Sequence, residues 1–263
     1  MHFTKMHGLG NDYLYVFGEV PPNIAELSIR LSDRHFGAGS DGMIYISPSD
    51  VADFKMRIFN ADGSEAMMCG NGIRCVGKYV FDKGHTTKTT LSIETLSGIK
   101  TLGLEVHDGK VCQATVGMGK AAVKDDMALV VNGSRLVCTP ASMGNPHAVV
   151  FVEDANAAPI NTMGPLVEHH ELFPGGVNVE FVQVLSNSEL RMRVWERGSG
   201  ITMACGTGAC ASVAAAVSKG YCAFGTPVTV HLDGGPLHVT IDDDFEVTMT
   251  GPATTVYEGE VVL

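Results

Sequence analysis

No stretch of the 263-residue sequence approaches the roughly 18 to 20 consecutive apolar residues that a membrane helix needs. The opening Met1 to Asn11 also lacks the apolar core of a secretory signal. The expectation is a cytoplasmic protein with no membrane partner. Positive charge is scarce: 18 Lys and Arg stand against 29 Asp and Glu, and no basic run interrupts the net charge of −11. Nucleic acid and anionic membrane surfaces are therefore poor partners, which leaves a small molecule. Seven cysteines, an odd count without regular spacing, exclude a disulfide framework and indicate reduced thiols. Neither Cys69 with Cys75 nor Cys205 with Cys210 forms a C-x-x-C pair with histidines nearby, so no metal is expected. With 45% apolar and 18% charged residues, the chain can bury a core of one large or two ordinary domains.

What the sequence does contain is a cysteine that runs into a glycine-flanked turn and then an alanine-rich helix, Met203-Ala-Cys-Gly-Thr-Gly-Ala-Cys-Ala211 followed by Ser212 to Val217. Amide groups at a helix start lack partners inside the helix and carry partial positive charge, so a thiolate at Cys205 is expected to be favoured there. The stretch has an echo. A shift of 136 positions, without a gap, brings Met56-Arg57 onto Met192-Arg193, and Cys69, Gly70 and Gly72 onto Cys205, Gly206 and Gly208.

The rest of the chain repeats around these two points. In the first half, Gly8 to Asp12 reads as a turn, Tyr13 to Phe17 as a strand and Ile24 to Phe36 as a helix. Gly37 to Gly42 matches G-x-G-x-x-G, but a helix precedes it and a strand follows, the reverse of what a dinucleotide site needs. Strands are expected at Met43 to Ser47, Phe54 to Phe59, Thr89 to Thr95, Gly98 to Val106 and Lys110 to Val116, with a helix from Cys69 to Phe81. A boundary falls near Gly117 to Lys124, giving domains 1–118 plus 255–263 and 119–254. The second half then offers a Gly144-Asn145 turn, a strand at His147 to Val152 and a helix at Met163 to Leu172. Strands at Val177 to Leu185 and Leu190 to Glu196, the Cys205 helix, and strands at Val228 to His231, Leu237 to Ile241 and Glu246 to Thr250 complete it. Each cysteine-headed helix reads as apolar nearly all round and hence buried. The fold class is therefore α/β: two pseudo-symmetric domains, each a mixed β-sheet or barrel wrapped around a central helix, with the helix starts meeting in the cleft between them.

Two thiols on opposite sides of one carbon suit removal of an α-proton from one face and return of a proton to the other. The α-proton of an amino acid is weakly acidic, so its carboxylate needs strong donors. The helix-start amides of Gly70, Asn71, Gly206 and Thr207 are placed to supply them.

Four motifs in order, KMHGLGNDY (5–13), FNADGSEAMMCGNGIRC (59–75), SMGNPH (142–147) and ERGSGITMACGTGACA (196–211), make the sequence resemble the diaminopimelate epimerase family across nearly its whole length. The resemblance implies cofactor-independent epimerisation of LL-2,6-diaminopimelate to the meso form, with Cys69 and Cys205 as base and acid. It implies that Asn11, Asn60, Asn145 and Asn178 grip the distal end of the substrate, with Glu196 and Arg197 beside them. An arginine can hold a carboxylate in parallel bonds, and a glutamate can accept from an ammonium. His147 resembles a histidine that supports the thiol pair, the last strand (Tyr257 to Leu263) returns to the first domain, and the assembly implied is a homodimer. One departure is visible: Gly42 stands where some members carry a substrate-contacting glutamine.

Blander readings remain beside these. Cys75, Cys112, Cys138, Cys210 and Cys222 read as small buried hydrophobes. Each asparagine could be an ordinary turn residue, Glu196-Arg197 a solvated pair and His147 a structural histidine. Other functions to weigh are a proline racemase or hydroxyproline epimerase type of activity, a thiol hydrolase, and a non-enzymatic amino-acid carrier.

Overall fold

The computed structural model describes residues 1–262. The chain forms two compact units, Met1–Val116 together with the segment from Gly251 onward, and Gly117–Thr250. Both junctions lie inside strands rather than in loops.

The first unit contains β1 (His2–Gly8), β2 (Asn11–Phe17), α1 (Ile24–Ser32), β3 (Gly42–Ser47), β4 (Phe54–Asn60), the short β5 (Glu65–Ala66) and α2 (Gly70–Asp82). It continues with β6 (Thr90–Thr95), β7 (Gly98–His107) and the first part of β8 (Lys110–Lys120). The second holds β9 (Ala122–Val123), β10 (Met127–Val131), β11 (Ser134–Ser142), β12 (Pro146–Phe151), α3 (Ile160–Glu168), β13 (Asn178–Ser186), β14 (Glu189–Glu196) and β15 (Gly200–Ile201). After these come α4 (Gly206–Ser218), β16 (Val228–Leu232), β17 (Gly235–Ile241) and most of β18 (Glu246–Pro252), and β19 (Thr254–Glu260) then pairs antiparallel with β1 in the first unit.

The pairing sequence is the same in both units. From β1 through β2, β3, β4, β6, β7 to β8, successive pairs are antiparallel, parallel, antiparallel, parallel, antiparallel and antiparallel. From β11 through β12, β13, β14, β16, β17 to β18 the order repeats without exception. The 136-residue echo in the sequence is thus a repeat of topology.

Strand parity decides what faces each helix. In β3, Met43 and Tyr45 join Leu14, Leu27, Leu31 and Phe59 in a cluster under α1. Ile44 points the other way, toward the start of α2 at Gly72. With both faces covered, β3 reads as a continuous apolar run rather than an alternating one. In the second unit Ala148, Val150, Val179 and Phe181 face the α3 cluster. Their neighbours His147 and Glu180 therefore face α4.

The two central helices differ. α4 packs against β11, β12, β13, β14, β16 and β17, and all but two of its residues are buried. α2 packs against β1, β2 and β7 but is not apolar all round. Lys78, Tyr79, Phe81 and Asp82 reach its surface, and its interior carries the fully buried Arg74. The Arg74 guanidinium donates to Gly70 O at 3.1 Å, Asn71 Oδ1 at 3.0 Å and Pro252 O at 3.2 Å, which ties the returning C-terminal segment to the helix start.

Several boundaries differ from expectation. α1 stops at Ser32, four residues early, because Asp33 turns extended and its Oδ1 accepts from the His35 and Phe36 amides. α3 starts three residues early, directly after Pro159, and ends at Glu168. Strands β1, β10 and β11 were not expected from the sequence: β1 mixes polar and apolar residues, β10 is a five-residue apolar run without polar alternation, and β11 is interrupted by Pro140. The last strand ends at Glu260 and begins at Thr254, and Leu263 lies outside the described residues.

Candidate active site

Each of the two cysteines is the N-cap of its helix, one residue before the helical turn in which it was expected. Cys69 has extended backbone (φ −136°, ψ 114°) and its sulfur accepts from the Gly72 amide at 3.2 Å. Cys205 repeats this (φ −118°, ψ 110°), accepting from the Gly208 amide at 3.3 Å. Sulfur thus fills the place that a Ser, Thr, Asp or Asn oxygen usually takes at a helix start. The second glycine of each Cys-Gly-x-Gly motif makes this possible, since a Cβ there would lie 3.3 Å from Cys69 Cβ or 3.2 Å from both Cβ and Sγ of Cys205. Gly70, Asn71, Gly206 and Thr207 supply the first amides of the helices, the groups with no acceptor within a helix.

In the first unit Asn11 stands at the head of β2. Its Oδ1 accepts from the Cys69 thiol at 3.3 Å and its Nδ2 donates to Asp41 Oδ2 at 2.8 Å. Asp41 was not picked out from the sequence. It also accepts from the Asp12 amide and from Arg34, so it locks the Asn11 carboxamide in one orientation. Burial pushes the Asp12 carboxyl up, but hydrogen bonds and charge from Arg34 and Lys5 outweigh this and hold it below its usual range. Asn60 ends β4, opposite Gly42 on β3, and donates to Ser64 Oγ at 3.0 Å within its own turn. At Gly42 a Cβ would lie 2.2 Å from Phe59 O, so this backbone does not accommodate a glutamine there. Asn71 turns its side chain to Arg74, accepting from the guanidinium at Oδ1.

In the second unit the predicted residues gather around α4. The Asn145 Nδ2 donates to Thr207 Oγ1 at 3.3 Å, and Thr207 Oγ1 lies 3.6 Å from Cys205 Sγ. His147 is buried, with Nε2 3.2 Å from the Asn145 carboxamide and Nδ1 2.7 Å from Glu180 Oε1. Glu196 accepts from Thr202 Oγ1 at 2.9 Å. Asn178 is committed at both ends, donating to Pro146 O and accepting from the Arg197 amide, each at 3.0 Å. It brackets the Glu196-Arg197 turn. The exposed Arg197 side chain donates to Gly175 O at 3.1 Å.

Sequence reasoning missed the residues that hold this turn and chain. Glu168 accepts from the Trp195 indole at 2.7 Å and the Gly198 amide at 2.8 Å, clamping both sides of Glu196-Arg197. Glu180 was legible in principle, as the lone charge in the apolar run Val177 to Val184.

The electrostatics reverse one expectation. Burial pushes the Cys205 thiol well above its usual range, and the nearby Glu196 and Glu180 carboxylates add to this. The Thr207 hydroxyl and Gly208 amide pull the other way and are outweighed. A helix start alone does not make a thiolate when the sulfur is dry and flanked by acids. Burial also raises Glu196, an effect that hydrogen bonds from Thr202 and Cys205 temper. Of the other cysteines, Cys75, Cys138, Cys210 and Cys222 are buried as expected, and burial holds Cys75 and Cys138 at about 11. Cys112 departs from expectation: it is exposed on β8 and donates to Glu105 O.

Against this geometry, the sequence profile of the diaminopimelate epimerase family matches residues 3–124 and 139–256. The chain belongs to that family. Diaminopimelate epimerase of Methanococcus maripaludis strain C5 is 52% identical, covering 99% of both chains. The Acetivibrio thermocellus enzyme of the same name is 51% identical over 100% of this chain and 99% of its own. Among solved structures, a probable proline racemase from Agrobacterium radiobacter superposes with TM-score 0.76 at 19% identity, covering 100% of this chain and 93% of that one. A hydroxyproline epimerase from Agrobacterium vitis gives 0.75 at 18%, covering 99% and 90%. The structural likenesses establish the fold. Membership of the family makes the chain an isomerase that epimerises LL-2,6-diaminopimelate to the meso form, a step of lysine biosynthesis. No helix among the described residues is long and apolar enough to cross a membrane.

Proposed function

We propose that Cys69 and Cys205 are the two proton-transfer groups of this epimerase. The observation that supports this most directly is the duplicated mounting: two helices of matching topology, each capped by a sulfur that accepts the amide three residues on. One thiolate removes the α-proton, a planar carbanion forms, and the other thiol delivers a proton to the opposite face. Burial and two carboxylates favour the thiol form of Cys205, the form that delivers a proton. The amides of Gly70, Asn71, Gly206 and Thr207 stabilise charge developing on the reacting carboxylate.

Glu196 accepts from the substrate ammonium, which offsets the charge that suppresses ionisation of Cys205. Asn11, Asn60, Asn145 and Arg197 take the distal amino-acid end. Asn178 acts by holding the Glu196-Arg197 turn, and His147 by holding Asn145. The protein works in the cytoplasm as a homodimer. The exposed Val256 and Tyr257 on β19, with Phe36 at 94% exposure, provide apolar surface for a second copy. Sedimentation velocity giving only a monomer at micromolar concentration would remove the dimer.

The chemical test is turnover of LL-diaminopimelate in deuterated water with reduced, pyridoxal-free protein. Two opposed groups place solvent deuterium in the meso product at initial rates while recovered LL substrate keeps its protium. A product that retains the substrate's own hydrogen would overturn the two-group scheme.

A further inference from the structure

The start of α4 rests on a charged group that no substrate role accounts for. Glu180 sits on β13 with its side chain wholly buried, as is that of His147 on β12. Oε1 lies 2.7 Å from His147 Nδ1, and Oε2 has no hydrogen-bond partner among the described residues. A buried carboxylate oxygen left unmatched works against folding, so its presence calls for a reason. The same fold position needs no such group. Under α2 the side chain nearest a Cβ on Gly72 is Ile44, at 2.7 Å; under α4 the atom nearest a Cβ on Gly208 is Glu180 Oε1, also at 2.7 Å. Ile44 and Glu180 are 136 residues apart, so they are counterparts in the repeat. One half fills the place with a hydrocarbon and the other with an acid.

A carboxylate can only accept, so His147 Nδ1 donates to it and the ring orientation is fixed. Nε2 then meets the Asn145 carboxamide, Asn145 meets the Thr207 hydroxyl, and that hydroxyl meets Cys205 Sγ, over steps of 3.2, 3.3 and 3.6 Å. The chain ends on the sulfur.

We propose that Glu180 is a positioning residue for the reaction: it anchors His147, and through Asn145 and Thr207 it orients the Cys205 sulfhydryl. This rests on Cys205 being one of the proton-transfer groups. The titratable groups around that sulfur in its own unit are Glu180 from β13, Glu196 from β14 and His147 from β12, and both carboxylates disfavour the thiolate. Removing the charge of Glu180 therefore lets Cys205 ionise at lower pH. Cys69, whose helix rests on Ile44, is unaffected.

The test is peptide-resolved alkylation by iodoacetamide as a function of pH on the full-length protein, comparing wild type with E180Q. The midpoint at Cys205 moves down by about one pH unit in E180Q while that at Cys69 stays in place. The variant loses roughly ten- to hundredfold in kcat with a smaller change in KM, the range typical of residues that act by orienting another group. E180D, which keeps the charge, leaves the Cys205 midpoint within a few tenths of wild type. An unshifted Cys205 midpoint in E180Q, or an unchanged kcat, overturns the proposal. A dead Cys205→Ala enzyme beside an unshifted E180Q would remove only the role of Glu180 and leave that of Cys205 standing. Should E180Q not fold, proton NMR of the wild type decides instead: the His147 Nδ1 proton resonates far downfield, as expected for a bond to a carboxylate. Its absence overturns the assignment.

Discussion

Replacing Cys205 with alanine abolishes inversion, and replacing Cys69 does the same. In the proposed scheme each variant keeps only one of two groups that act on opposite faces of one carbon, so neither can complete a turnover. General acid or base catalysis contributes roughly 10²- to 10⁴-fold, and a loss at least that large in the rate of meso product formation is expected from either substitution. The fold should survive. Cys69 and Cys205 contribute one weak amide-to-sulfur bond each to their helix starts, and loss of an N-cap acceptor costs about 1 kcal/mol. Thermal unfolding of both variants should therefore stay close to that of the wild type. A folded Cys69→Ala or Cys205→Ala protein that turns over within tenfold of wild type would contradict the assignment.

The second large effect is expected at Gly208. A Cβ added there would lie 2.7 Å from Glu180 Oε1 and 3.2 Å from Cys205 Sγ. The carboxylate is pinned by His147 and cannot swing aside, so the helix start must shift instead. Gly208→Ala should lose about 1–3 kcal/mol of stability, as over-packed cores do, and roughly a hundredfold in kcat, because a displacement near 1 Å is enough to spoil proton-transfer geometry. Gly77→Ala is the matched control. Its Cβ would meet only the Leu102 and Leu104 methyl groups, at 2.9 and 2.8 Å. It should lower the denaturation midpoint comparably and leave kcat within a few fold. If Gly208→Ala keeps wild-type kcat, the tight packing of carboxylate, glycine and sulfur is not what orients Cys205.

Much of this was legible in the sequence because it is local or repeated. The Cys-Gly-x-Gly motifs are short and their spacing is shared, so both helix starts and the doubled plan could be read without coordinates. What escaped was set by tertiary context. β10 is a short apolar run with no polar alternation and β11 is broken by Pro140, and only the Asn132-Gly133 turn between them, with φ of 49° and 74°, announces a hairpin. Glu168 lies in an unremarkable helix and acquires its task only when Trp195 and Gly198 fold onto it. The protonation of Cys205 was misjudged from sequence because a helix-start argument counts amides but not burial, and burial is the largest effect on that sulfur. Glu180 was missed for a related reason: which face of β13 is which depends on the partner strands.

The strand parity of β12 and β13 has a further consequence. LL- and meso-diaminopimelate are diastereomers rather than mirror images, since the distal centre stays fixed while the reacting one inverts. A protein built from two like halves has no inherent means of telling forward from reverse. Exchanging a hydrocarbon for an acid at one repeated position, Ile44 against Glu180, gives each half its own electrostatic character while both keep the same backbone. In the proposed two-thiol scheme, duplication provides two proton carriers on like mounts, and a single side chain on the inner face of the sheet sets their surroundings apart.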